Sequence, residues 1–88
     1  MSKYLIEGKK ALRASIDGRS LEMTTSYPNN GGNWSRMYTL NSGDGKIEEI
    51  FRINSTQINV ITDKKRLQFY YSSSPNDTSC NYQSSYGL

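Results

Sequence analysis

Histidine is absent from this 88-residue chain, and cysteine occurs once, at Cys80. The first absence removes the commonest metal ligand and the usual general base near neutral pH. The second excludes an intramolecular disulfide and any thiolate cluster for a metal. Hydrophobic residues make up only 34% of the chain and the mean hydropathy is -0.76. A core drawn from so little must take much of its volume from the seven Tyr, two Phe and one Trp. No apolar run could span a bilayer, and residues 1–10 meet charge too soon to read as a signal peptide or membrane anchor. A cytoplasmic, reducing compartment is the resulting expectation. The triplets Asn33-Trp34-Ser35, Asn54-Ser55-Thr56 and Asn76-Asp77-Thr78 fit the glycosylation pattern, but without a secretion signal they read as coincidence.

A strong excess of either charge is lacking too: the net charge is +3 and the pI about 9.1. That describes a small basic protein which permits an acidic partner without demanding one. Most cations are scattered, with one run at Lys64-Lys65-Arg66 that reads as protection of a turn or edge.

What the chain does have is alternation. Residues 57–72 set apolar and polar side chains at period two on both sides of a charged turn, which predicts a β-hairpin with Ile58, Val60, Leu67, Phe69 and Tyr71 inward. Residues 3–7 form a short strand candidate ended by Gly8. Residues 11–16 and 19–26 form two alternating arms around Asp17-Gly18, read as a type I′ turn, with Leu12, Ala14, Ile16, Leu21 and Met23 on the apolar side. A helix over 9–15 competes on propensity but does not suit the alternating flanks. The stretch Tyr27-Pro28-Asn29-Asn30-Gly31-Gly32-Asn33-Trp34 breaks the pattern and predicts a flexible loop with a large aromatic at each end. Residues 35–40 resume as a strand whose buried face could be either one. Asn41-Ser42-Gly43-Asp44-Gly45 is a turn, and 46–54 a strand with a bulge near Glu48-Glu49.

These arms make an all-β fold: a small antiparallel meander of six or seven short strands, as a curved sheet or an open barrel. The domain covers residues 1–72, and residues 73–88 read as a polar, flexible C-terminal tail because little in them can be buried.

Catalysis fits this composition poorly, and we assign no catalytic, cofactor or metal residue. Cys80 has no basic neighbour in sequence to stabilise a thiolate, and Glu48 and Glu49 as strand neighbours point to opposite faces. Asn41 to Gly45 lacks the carboxylates and the closing Glu of a calcium loop. The aromatic surplus is the better lead, since Tyr and Trp give rigid, amphipathic contact area. The candidate contact residues are Tyr27, Trp34, Arg36, Tyr38, Lys64, Lys65 and Tyr70.

The sequence therefore predicts a non-enzymatic binding protein that occupies a surface of another protein. Its size and its Asn-, Ser-, Tyr- and Lys-rich style fit a phage or mobile-element accessory inhibitor of a host (defence) factor. The alternatives are a single-stranded nucleic-acid-binding β-barrel module and a small-ligand (nucleotide) sequestering protein. Homo-oligomers could form through open sheet edges, and no membrane association is expected.

Overall fold

The computed structural model describes residues 2–88 and contains eight strands, with no helix among them. The strands are β1 (Tyr4–Glu7), β2 (Lys10–Ala14), β3 (Ser20–Thr24), β4 (Ser35–Thr39), β5 (Ile47–Asn54), β6 (Gln57–Thr62), β7 (Lys65–Tyr70) and β8 (Asn81–Gly87). They form two four-stranded antiparallel sheets, ordered β1-β2-β3-β4 and β5-β6-β7-β8. Each sheet is a meander of neighbours in sequence, so every pairing closes through a local connection. The chain changes sheet once, in the turn between β4 and β5. The result is a two-layer stack and not a closed barrel.

Alternation decides what is buried. Leu12, Leu21 and Met23 of the first sheet share one core with Ile50, Ile58, Val60, Leu67 and Phe69 of the second. A fully buried aliphatic or aromatic side chain of this size contributes about 1.5–3 kcal/mol. The main hairpin is as the pattern requires, with Ile58, Val60, Leu67, Phe69 and Tyr71 all essentially inaccessible.

Two bulges resolve positions where simple alternation is ambiguous. Between Ile47 and Glu49 the register of β5 slips, so Ile47 and Ile50 both face the core while Phe51 and Ile53 remain exposed. Opposite Leu21 and Glu22, Met37 is the extra residue of β4, and both Met37 and Tyr38 pack on the core.

Three expectations are corrected. Residues 73–88 are not a loose tail: Cys80 is buried, and β8 pairs with β7 from Lys65↔Gly87 to Tyr70↔Asn81. Its polar composition concealed the strand because β8 is an edge that needs only Tyr82 and the preceding Cys80 to meet the interior. That strand also raises the expected six or seven to eight. At Asp17-Gly18 only Gly18 has a positive φ, so the turn is not type I′. Gly18 N–H instead bonds Ser15 C=O, the Asp17 carboxylate accepts from Ser15 Oγ and Arg19 N–H, and Ile16 projects fully into solvent from this wider loop.

The segment joining β7 to β8 is held by Lys10. The residue is 3% exposed, and its ammonium donates to Ser72 O at 2.7 Å, Ser74 O at 2.9 Å and Asp77 O at 2.6 Å. It also lies 4.5 Å from the centroid of the Tyr71 ring. Arg52 approaches the same ring at 5.4 Å, donates to Tyr71 O, and pairs with Glu7 at 2.6 Å. One cationic cluster thus joins β1, β2 and β5 to the path leading into β8.

Candidate functional site

Period-two geometry gives the first sheet an outer face opposite Leu12 and Met23. Across its four strands the register aligns Tyr4, Arg13, Glu22 and Arg36 in one row. Arg13 Nε meets Glu22 Oε1 at 2.7 Å, while Arg36 makes no side-chain hydrogen bond or ion pair among the described residues. The loop after β3 folds back over this face: Tyr27 N–H bonds Lys9 C=O. Trp34 then packs 6.5 Å from the Tyr4 ring and 6.4 Å from the Tyr27 ring, with the Arg13 guanidinium 4.3 Å from its own centroid.

The loop itself is a hydrogen-bonded turn. Gly31 and Gly32 both take positive φ, as a type I′ turn requires, and Asn33 N–H bonds Asn30 C=O. Asn30 Nδ2 returns a bond to Asn33 C=O at 2.8 Å. The segment expected as a flexible loop thus contains a closed, hydrogen-bonded four-residue turn.

Two surface depressions flank the Trp34 cluster. One, of about 350 Å³, lies against Arg13, Glu22, Arg36 and the Ser15-Ile16-Asp17 turn. The other, of about 220 Å³, lies between the end of β3 and the Asn30–Asn33 turn, bordered by Met23, Thr24, Thr25, Ser26 and Ser35.

The candidate residues do not all meet. Tyr27, Trp34 and Arg36 share the outer face of the first sheet. Tyr38 turns the other way, 5.2 Å from both the Phe69 and Tyr82 rings, where it fills the space between β4, β7 and β8. Burial there raises the pKa of its phenol, with the nearby Asp44 charge adding to the effect. Lys64 and Lys65 sit at the β6–β7 turn, and Lys65 pairs with the buried Asp44 at 3.1 Å. Tyr70 donates its hydroxyl to Asp77 at 2.6 Å, which raises the Tyr70 pKa and lowers that of Asp77.

Five residues of the patch were not among the candidates: Tyr4, Ile6, Arg13, Ile16 and Glu22. Tyr4 and Ile6 are each 48% exposed. The signal for them was present, since with Leu5 inward both neighbours must face out. Cys80 has the opposite character from a reactive thiol, for burial pushes its pKa up to about 12. No His, Cys, Asp and Glu group able to hold a metal occurs among the described residues.

No protein-family model matches the chain, and neither the curated proteins nor the solved structures compared with it give a match.

Proposed function

We propose that this chain is a non-enzymatic binding protein which occupies a surface of another protein with the outer face of its first sheet. The observation that carries the reading is the collection, on one open face, of exposed Tyr4 and Ile6, half-buried Trp34 and Tyr27, and the cations Arg13 and Arg36, with Ile16 projecting at its rim. Aromatic and Arg side chains are the types that dominate contact energetics, and exposed aliphatics beside them suit an apolar patch of a protein.

Charge supports the same face. Residues 2–40, which build the first sheet, carry six Lys and Arg against three Asp and Glu, while residues 41–88 carry five of each. The whole excess lies on the half that bears the patch, which favours encounter with an acidic surface.

The nucleic-acid alternative draws on that charge but fits the geometry less well. Arg13 already covers the Trp34 ring, so it is not a free stacking platform, and Glu22 stands in the middle of the row of cations. A ligand cavity shared by Tyr27, Trp34 and Tyr38 would favour sequestration of a nucleotide, but Tyr38 faces the other side of the sheet. A reaction centre lacks support from the buried thiol and from a chain without histidine. The finer reading, that the partner is a host factor blocked by a phage or mobile-element accessory protein, rests on size and composition.

A nuclease-treated pull-down comparing two surface variants tests the proposal. Ile16→Asp combined with Tyr4→Asp should lose the captured protein, whereas Phe51→Asp with Ile53→Asp, on the second sheet, should keep it. Capture that disappears with nuclease, or that both variants lose equally, would overturn the assignment.

A further inference from the structure

The depression of about 220 Å³ beside the Asn30–Asn33 turn differs in chemistry from everything around it. No charged side chain borders it, although charged groups crowd the neighbouring groove. Its polar border consists of hydroxyls and amides from Thr24, Thr25, Ser26, Asn30, Asn33 and Ser35. Most of these groups are unspent. Thr24 Oγ1 accepts weakly from Ser26 N–H at 3.4 Å and Asn30 Nδ2 is used on Asn33 C=O. The hydroxyls of Thr25, Ser26 and Ser35 and the amide of Asn33 bond no protein group among the described residues.

We infer that this pocket binds one neutral sugar ring, free or at the end of a glycan. A ring with several hydroxyls is the small ligand whose alternating donors and acceptors match a border of hydroxyls and amides. The absence of any bordering charge gives a phosphate, a carboxylate or an ammonium group no counter-ion. The volume falls below the roughly 300–1,000 Å³ of sites for drug-sized molecules, which limits the fit to a single ring. Two bonds across the turn, from Asn33 N–H to Asn30 C=O and from Asn30 Nδ2 to Asn33 C=O, fix the main chain and the Asn30 amide in advance, which lowers the ordering needed on binding. Met23 is the apolar residue among those at the border, against which a sugar's C–H face can rest. This site goes beyond the protein-contact reading and does not depend on it.

Amide chemical-shift titration of the full chain tests it, with glucose, galactose, mannose and N-acetylglucosamine as neutral probes and glucuronate and glucosamine as charged ones. Methyl glycosides separate a glycan terminus from a free reducing sugar. At least one neutral sugar should shift the amides of residues 24–26 and 30–35 and saturate on the order of a few millimolar, as suits a ligand of about a dozen non-hydrogen atoms. Asn33→Ala and Ser26→Ala, both at exposed positions, should each weaken that binding about fivefold or more with an otherwise unchanged spectrum. No localised shift with any neutral sugar at about 100 mM, tighter binding of a charged sugar, or indifference to both variants would overturn the inference.

Discussion

Replacing Lys10 by Met keeps the aliphatic stem and removes the ammonium that three main-chain carbonyls share. Two terms oppose each other at this position. Burial disfavours the charge and pulls the Lys10 pKa below its ordinary value, against the attraction of Asp77 and Glu7. The carbonyls, however, remain after substitution and must find other donors. Ser72 O is buried with the ammonium, whereas the other two acceptors are only part-buried and can turn to water. A charged hydrogen bond to an acceptor left buried is worth about 1.5–3 kcal/mol, and the two others add a fraction of that, so we expect a loss of ~3 kcal/mol. A domain of this length is stable by about 4–13 kcal/mol in all, and the corresponding fall in Tm is roughly 10–20 °C. Urea and thermal unfolding followed by circular dichroism measure it, with Lys9→Met as a solvent-exposed control that should change stability by less than about 0.5 kcal/mol. Amide exchange should accelerate first in β8, whose approach segment the lysine holds. A loss below about 1 kcal/mol, or one no larger than the control, would refute the claim that this ammonium anchors the segment.

Other outcomes follow from the same structure. Gly45→Ala should cost about 1–3 kcal/mol, because Gly45 has φ +86° and a Cβ there would displace the Asp63 carboxylate; an unchanged urea midpoint would contradict this. Tyr71→Phe should be neutral or stabilising by up to about 1 kcal/mol, since the buried Tyr71 hydroxyl has no hydrogen-bond partner among the described residues, and a clear loss of stability would show a hidden one. Asp17, Asp63 and Asp77 all have pKa values lowered from 3.8, chiefly by hydrogen bonds from Ser15, from the Lys46 N–H and from Tyr70 respectively. Folded pKa values below the unfolded one mean stability that is fully present above about pH 4 and lost as pH falls through the lower values. The urea midpoint should therefore be flat between about pH 5 and pH 8 and fall below about pH 4, least steeply in Asp77→Asn.

The fold was legible wherever one side of a strand is apolar. Ile58, Val60, Leu67, Phe69, Leu21 and Met23 alternate with polar neighbours and are buried as that alternation demands. Legibility failed where a strand's partner does the burying. β8 reads Asn-Tyr-Gln-Ser-Ser-Tyr-Gly, with no apolar stripe, and is a strand because β7 offers an edge and Lys10 directs the chain to it. Ile16 failed for another reason: a turn one step wider than Asp-Gly alone suggests carries it off the apolar side. Among the candidate contact residues, local sequence pointed to aromatics and cations but not to which face each would take. Tyr38 was drawn into the interior by the bulge at Met37, and Lys65, still partly exposed, is engaged by the buried Asp44. The pairing of Arg13 with Glu22 was not legible because it spans two strands, and the contact of Arg13 with Trp34 was not because it joins distant parts of the chain.

The central claim is that the outer face of the first sheet is a contact surface for a protein, and hydrogen exchange of this chain with and without its captured partner tests it most directly. Protection confined to residues 4–6, 13–16 and 34–36 is the expected footprint. A footprint on β5 to β8 instead, or none on the first sheet, would contradict the account.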